Sequence, residues 1–322
     1  LETVVRPADC SEPSAIRAAA EVLRAGGLVA FPTETVYGLG ANALDAAAVA
    51  RVFEAKGRPA TNPVIVHVAR ASDVLNVCAE WPATAARLAE RFWPGPLTLV
   101  VPKGDAVPEL VTAGGNTVAV RCPNHPVARA LIEAAGVPVA APSANRSTEL
   151  SPTRAEHVVK SLNGRIDFVL DGGPCSGGIE STVVDVTGSV PRVLRPGLIS
   201  APEIAQVVGH VELGASAEGV ARSPGQMARH YSPRTPLVLS EDPDTEHRRL
   251  KEMGLRVISV GFDLIYDYRF IPNDPEGYAS DLYATLHALD AEGWDRIVIE
   301  LPPDAPEWAG VRDRLLRAAA GA

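Results

Sequence analysis

Gly26-Gly27-Leu28-Val29-Ala30-Phe31-Pro32-Thr33-Glu34-Thr35-Val36-Tyr37-Gly38-Leu39-Gly40 is the stretch that decides the fold. Two glycines stop a preceding helix, four apolar residues give a short buried strand, and the run then turns polar and rich in proline and glycine. Upstream, Ser14–Ala25 places Ile16, Ala19, Ala20 and Leu23 on one helical face. Downstream, Asp45 is placed to cap a helix reaching Ala55. A buried strand between two amphipathic helices is the signature of an α/β fold. Residues Pro32–Asn42 read as the loop that joins them.

The alternation continues. Strands are predicted at Val64–Val68, Leu97–Val101, Thr117–Arg121, Val137–Ala141, Phe168–Leu170, Thr182–Val186 and Arg192–Leu194, and helices at Pro82–Phe92, Pro126–Ala135 and Thr153–Leu162. The late strands lie close together with few helices between them, which predicts a mixed rather than a purely parallel sheet. Residues 210–236 then lose apolar periodicity and accumulate glycine, serine and proline, marking a boundary. Beyond it the pattern Leu237–Leu239, Glu246–Met253, Arg256–Val260, Ala279–Ala291, Arg296–Glu300, Trp308–Ala319 reads as a small βαβαβα unit. The organisation is therefore a domain over 1–209, a linker over 210–236 and a second α/β domain over 237–322; the linker's Arg229, His230 and Tyr231 are expected to make it a lid over the nucleotide site, anchored by the second domain.

Composition narrows the function. At 322 residues the chain exceeds the roughly 250–300 at which single cores stop growing, consistent with two units. Its 27 glycines and 28 prolines, about 17%, fall below the level of low-complexity disorder. Apolar runs such as Pro96–Val101 are far shorter than a membrane span, and Leu1–Pro7 lacks the basic flank and apolar core of an export signal. The four cysteines are 44 to 68 residues apart with no paired spacing, so a reducing, cytoplasmic setting is expected. Neither they nor the seven histidines show a metal-ligand spacing, and no metal site is assigned. Residues 1–210 carry 18 basic and 20 acidic side chains, and residues 211–322 carry 12 and 19. That balance disfavours a stable nucleic-acid binder working by phosphate neutralisation, but leaves room for a local nucleotide pocket.

Three polar stretches at strand ends are candidates for chemistry: Phe31–Gly40, Lys56-Gly57-Arg58-Pro59 with Asn62-Pro63, and Ala141-Pro142-Ser143-Ala144-Asn145-Arg146-Ser147 with Ser151. Thr33, Thr35 and Tyr37 either satisfy their own loop or face a ligand. Lys56 and Arg58, separated by glycine and locked by proline, read as a stiff anion clamp more than as a solvated helix end. His67, inside an apolar strand, reads on its own as a core histidine. Ser143 and Asn145 suit either ordinary turns or a nucleotide's polar edge. Arg121, ending a strand, is a surface residue or a carboxylate holder. The glycines at 172–173 and 177–178, followed by Glu180-Ser181-Thr182, offer backbone amides to an anion. No Walker sequence and no GxSxG exist, so an ATP site would be of another kind and covalent catalysis is not indicated.

Together, FPTETVYGLGANA (31–43), KGRPATNPVIVHV (56–68), WPGPLTLVV (93–101), VAVRCPNHP (118–126), APSANRS (141–147), ESTVVDV (180–186), VLRPG (193–197) and SPGQMARHYSP (223–233) resemble the threonylcarbamoyl-AMP synthases of the YrdC/Sua family. The resemblance is to the long form with a C-terminal Sua domain, and it keeps order and spacing over nearly the whole chain. It implies a YrdC-like twisted mixed sheet followed by a small Rossmann-like domain. It also implies synthesis of threonylcarbamoyl-AMP and pyrophosphate from L-threonine, bicarbonate or CO2, and ATP with Mg2+. The product would pass to a complex that transfers threonylcarbamoyl to tRNA. By resemblance, Thr35, His67, Arg121, Ala141 and Ser181 surround threonine. Arg58, Asn62, Thr117, Ser143, Ser151, Arg195 and the linker's Tyr231 hold ATP, with Lys56, Arg58 and Arg195 acting on the phosphates. Two other classes compete: a noncatalytic RNA-binding module of this fold, and a carbamoyl transferase acting on carbamoyl phosphate. The second has paired-cysteine zinc motifs that this chain lacks.

If Arg58 and Arg195 are the phosphate cations, Arg58→Ala and Arg195→Ala should each lower ATP-dependent pyrophosphate release at least about tenfold, the effect of ~1.4 kcal/mol. Wild-type rates in both folded variants would remove the assignment.

Overall fold

The computed structural model describes residues 2–11, 13–214, 231–262 and 268–320. In chain order the first eleven strands are β1 (Val4–Pro7), β2 (Val29–Phe31), β3 (Gly38–Asn42), β4 (Ile65–His67), β5 (Leu97–Pro102), β6 (Thr117–Arg121), β7 (Val139–Ala140), β8 (Phe168–Asp171), β9 (Thr182–Asp185), β10 (Arg192–Arg195) and β11 (Glu212–Leu213). They form one twisted sheet in the order β1-β8-β2-β3-β7-β4-β6-β5-β9-β10-β11. The sheet is mixed: β4 runs parallel to β6 and β5 to β9, whereas β2–β3, β4–β7, β5–β6 and β9–β10 are antiparallel.

Local sequence sets the helices. These are α1 (Ser14–Arg24), α2 (Ala46–Lys56), α3 (Ala83–Phe92), α4 (Pro126–Ala135), α5 (Ala155–Leu162) and α6 (Ala201–Val208). The Asp45 carboxylate accepts from the amides of Ala47 and Ala48 and starts α2, and Gly57 ends it in a left-handed conformation at φ 62°. Pro126 opens α4 and Gly136 closes it in the same way. The buried faces of α1 and α4 pack on β2, β7 and β8 through Ile16, Leu23, Phe31, Leu131, Val139 and Leu170.

Several readings of the sequence change, and strands β1 and β11, the latter inside the expected linker, are additions. Residues 38–42 lie in a strand, not a loop. With no side chains at Gly38 and Gly40, the strand lies directly under the Phe31 ring: a Cβ at Gly40 would sit 2.8 Å from Phe31 Cε1 and 2.7 Å from Val139 Cγ1. Helix α6 is an addition. Its start was legible, since Ser200 and Glu203 form a capping box in which Ser200 Oγ donates to Glu203 Oε2 at 2.6 Å.

The second unit contains β12 (Leu237–Ser240), α7 (Pro243–Glu252), β13 (Val257–Gly261), β14 (Tyr268–Phe270), α8 (Pro275–Leu289), β15 (Arg296–Glu300) and α9 (Ala309–Ala319). Its sheet, β12-β15-β13-β14, is parallel throughout. The edge strand β14 was not anticipated, and all three of its residues are exposed.

The two units share a core. Val36, Leu150 and Ile179 of the first pack with Tyr278, Leu282, Tyr283, Leu286, Trp308 and Leu315 of the second. Backbone meets backbone at two glycines. A Cβ on Gly178 would lie 2.1 Å from Ala279 O, and one on Gly310 would lie 2.6 Å from Gly197 O. Across the same interface His157 of α5 stacks on His287 of α8 with ring centroids 3.9 Å apart. Nε2 of His287 is 3.1 Å from Ser151 O, and His157 Nδ1 accepts from the Thr153 amide at 3.3 Å.

Burial and the neighbouring ring lower the pKa of His157 to about 3, and burial also lowers that of His287. An unfolded histidine takes its proton near 6.5. Both rings are therefore neutral and fully stabilising above that pH, and their contribution falls as pH drops from about 6.5 toward 3. Thermal unfolding at pH 7.5 and 5.0 should show the wild type losing roughly 2 °C or more beyond the loss in a His157→Phe/His287→Phe variant. Equal losses would place the pH sensitivity elsewhere.

Candidate active site

Strand ends converge on one cavity. In register, His67 at the end of β4 pairs with Arg121 at the end of β6, and Thr98 of β5 pairs with Arg121 from the other side. The loop after β7 is held against this edge, with Ala141 N donating to Ile65 O at 2.9 Å and Leu39 N to Pro142 O at 2.7 Å. Ser181 stands just before β9, its hydroxyl 2.7 Å from Thr98 Oγ1. The cavity is lined by Thr33, Thr35, Val36, Gly38, Arg58, Ile65, His67, Arg121, Ala141, Pro142, Ser143, Glu180, Ser181, Arg195 and Tyr231. Nine of the residues named by resemblance thus face one space: Thr35, Arg58, His67, Arg121, Ala141, Ser143, Ser181, Arg195 and Tyr231.

Two electrostatic ends are visible. At one, Arg121 Nη1 donates to Thr35 Oγ1 at 2.9 Å, while Nη2 lies 2.7 Å from Glu34 Oε1 without hydrogen-bond alignment. Thr33 Oγ1 is 2.8 Å from Thr35 Oγ1, which fixes the second hydroxyl. Beside Arg121, His67 is buried, and Nδ1 has no hydrogen-bond partner among the described residues. Burial, reinforced by the Arg121 charge, lowers its pKa to about 3, so the imidazole is neutral at any working pH.

At the other end, Arg58 Nε donates to Asn62 O at 3.1 Å and Nη2 to Pro63 O at 2.8 Å. Burial lowers its pKa to about 10; Tyr231 opposes the shift and the Arg195 charge adds to it, and the guanidinium stays cationic at neutral pH. Arg195 donates through Nε and Nη2 to Ser181 O at 3.1 and 3.0 Å, and through Nη2 to Ser181 Oγ at 3.2 Å.

Four named residues do not line the cavity. Lys56 is fully enclosed, its Nζ donating to Ser143 O at 2.5 Å and also to Asn145 O. Burial first, and then the Arg58 charge, hold its pKa well below the usual lysine value. It anchors the 143–147 loop instead of presenting a cation to the cavity, because Gly57 turns the chain between the two residues. Ser151 is also enclosed, donating its hydroxyl to Glu180 Oε1. Asn62 and Thr117 lie at the starts of their segments, upstream of the β4–β6 pair Ile65–Ala119. Thr117, Ala119 and Arg121 share one face of β6, so Thr117 is roughly 13 Å from Arg121 along the strand. Asn62 Nδ2 is buried without a partner among the described residues.

Residues 21–197 match a family model described as telomere recombination, and residues 199–320 match one described as threonylcarbamoyl-AMP synthase, C-terminal domain. The chain belongs to the threonylcarbamoyl-AMP synthase family. The threonylcarbamoyl-AMP synthase of Pyrococcus abyssi is 44% identical over 318 residues, covering 94% of this chain and 93% of the relative. That of Bacillus subtilis is 43% identical over 322 residues, covering 95% and 93%. The solved P. abyssi Sua5 complexed with L-threonine superposes with a TM-score of 0.93 at 40% identity, over 99% of this chain and 98% of that one.

Against this synthase fold, the sequence reading missed three contributors. Glu34 sits within a quoted motif but has no spacing that marks it as the partner of Arg121. Arg314 and Tyr283 come from the second unit and reach Glu180 from 134 and 103 residues away. No local signal carries that. Three of the four glycine amides expected to meet an anion are occupied: Gly172 N donates to Tyr37 Oη, Gly173 N to Asp171 Oδ1 and Gly177 N to Glu34 O. Of the linker, residues 215–230, including Arg229 and His230, lie outside the described residues. Tyr231 is buried at a left-handed φ of 60°, an uncommon conformation for an aromatic residue. The next residue is tied to both units, Ser232 N donating to Thr148 O at 3.0 Å and Ser232 Oγ to Ala318 O at 3.2 Å.

The two roles open to Lys56 are separable. As a loop anchor, Lys56→Met should cost about 1.5–3 kcal/mol of stability and speed hydrogen exchange at Ser147, whose amide bonds Lys56 O. A variant with wild-type stability and loop protection but lost nucleotide affinity would restore the clamp reading.

Proposed function

We propose that the chain catalyses formation of threonylcarbamoyl-AMP and pyrophosphate from L-threonine, bicarbonate or CO2, and ATP, acting as a nucleotidyltransferase. One observation supports this reading: Arg121, Thr35 and His67 line the same cavity as Arg58, Arg195 and Tyr231, so a carboxylate and a phosphate could be held side by side. The P. abyssi structure in complex with L-threonine supports the amino-acid end.

In this scheme the Arg121 fork takes the threonine carboxylate. Neutral His67 and the hydroxyls of Thr35 and Ser181 meet its polar groups, and Ala141 and Ile65 wall its methyl. The threonine nitrogen forms a bond to the carbon of CO2 and loses a proton, giving a carbamate. A carbamate oxygen then bonds the α-phosphorus as the bond to the β-phosphate oxygen breaks and pyrophosphate leaves. No enzyme nucleophile is needed. Positioning and charge stabilisation by Arg58 and Arg195 supply the catalysis.

Mg2+ enters as part of the ATP substrate. Among the described residues no group of three His, Cys, Asp or Glu side chains is arranged to hold a metal. The cavity's own carboxylate, Glu180, and nearby Glu34 are both engaged by arginines. We therefore assign no protein cage, and no step runs through the ion. No described helix is long and apolar enough to cross a membrane. A cytoplasmic site, with product passed to a tRNA-modifying complex, completes the proposal.

Pyrophosphate release from ATP and bicarbonate, assayed with each amino acid in turn, tests it. Serine should be slower than threonine by roughly 5- to 100-fold, since one methyl in an apolar pocket is worth about 1–3 kcal/mol, and valine slower still for want of a hydrogen-bonded hydroxyl. Equal turnover of all three would remove the threonine pocket.

A further inference from the structure

Among the described residues lining the cavity, Glu180 is the only carboxylate, and it shares that cavity with Arg58 and Arg195, assigned above to the triphosphate. Its partners come largely from the second unit. Oε2 accepts from Arg314 Nε at 2.7 Å and from Tyr283 Oη at 3.2 Å, and Oε1 accepts from Ser151 Oγ. Arg314 also donates through Nη2 to Glu180 O at 3.2 Å and through Nη1 to Pro196 O at 3.0 Å. Its side chain has no solvent exposure, and its remaining contacts are Asp313 Oδ2 at 2.7 Å and the Tyr231 ring 5.2 Å away. Gly310, one helical turn earlier, lets α9 approach Gly197 and seats Arg314 over this position.

The contacts form a relay. Arg314 fixes both the carboxylate and the carbonyl of Glu180, the next residue Ser181 receives the guanidinium of Arg195, and Arg195 faces the cavity. Burial raises the Glu180 pKa, but the charges of Arg314 and Arg195 outweigh it and the carboxyl stays below its ordinary value, hence ionised. Without Arg314 this anion would keep only hydroxyl partners and the nearby Arg195. It would then draw that guanidinium away from phosphate and add a negative charge where the nucleotide's own must sit.

We propose that Arg314 is a positioning residue of the active site, neutralising Glu180 so that Arg195 remains available to the nucleotide. This gives the C-terminal unit a defined part in the reaction, and it rests on the ATP-dependent reading above. The neutral pair is the diagnostic, because removing one partner strands a buried charge whereas removing both does not.

The test uses the full chain with Arg314→Met, Glu180→Gln and the double variant, measuring KM for MgATP and for threonine by pyrophosphate release, with thermal unfolding alongside. Arg314→Met should raise the ATP KM at least about tenfold and the threonine KM less than about threefold. The double variant should return the ATP KM to within about threefold of Glu180→Gln alone. A double variant as impaired as Arg314→Met, or equal losses for both substrates, would overturn the proposal. Should Arg314→Met fail to fold, the double variant must fold and turn over; if it also fails, Arg314 is a packing residue only. A wild type that releases no pyrophosphate from ATP and threonine would instead overturn the functional reading itself.

Discussion

Enclosing four cations beside one sheet edge is the constraint on which the rest of the structure depends. Lys56, Arg58, Arg121 and Arg195 are all nearly inaccessible to solvent, and an ionised group removed from water must recover its hydration from protein partners. Here the partners are mainly backbone carbonyls: those of Ser143 and Asn145 for Lys56, Asn62 and Pro63 for Arg58, Gly95 for Arg121, and Ser181 for Arg195. Each of these carbonyls belongs to a loop at a strand end. The cations therefore organise the loops as much as the loops position the cations. An acidic chain with a net charge of −9 thus encloses basic side chains around its cavity.

The chemistry follows from a division of labour within that set. Arg121 is tied to side chains, Thr35 and Glu34, that a substrate's polar groups can join or displace. Arg58 and Arg195 are tied mainly to main chain and are held more rigidly, which suits the phosphate role proposed for them. Lys56 reads in the sequence as part of the same clamp, and its ammonium is bonded to the loop that carries Ser143. A charged residue next to a glycine is therefore not enough to assign a role; the direction in which the glycine sends the chain decides it.

Much of this was legible from the amino acids. Helix boundaries at Asp45, Gly57 and Gly136 follow local capping chemistry, and the apolar strands follow burial on both faces, so the α/β class and most of the element order were readable. The strand at Gly38–Asn42 was not, because glycines carry no pattern and the strand depends on Phe31 and Val139 lying over it. Nine cavity residues could be named through motif resemblance, since each lies within one of the quoted motifs. Thr117 shows the other side: the resemblance names it, yet it lies upstream of the paired stretch of β4 and β6 and does not line the cavity. Glu180, Ser151, Tyr283 and Arg314 form a network across two units, and pairings over more than a hundred residues leave no trace in local composition.

The separation between Arg314 and Glu180, 134 residues, has a consequence during synthesis. Domains fold from the N-terminus as the chain emerges, at about 5–20 residues per second. The first unit, whose last strand ends at Leu213, can thus assemble its sheet roughly 5–20 seconds, at those rates, before the guanidinium that balances Glu180 has been made. On the proposal that Arg314 neutralises Glu180, a nascent chain would through that interval leave this anion to Arg195, and its pocket would be completed only when the last helix docks.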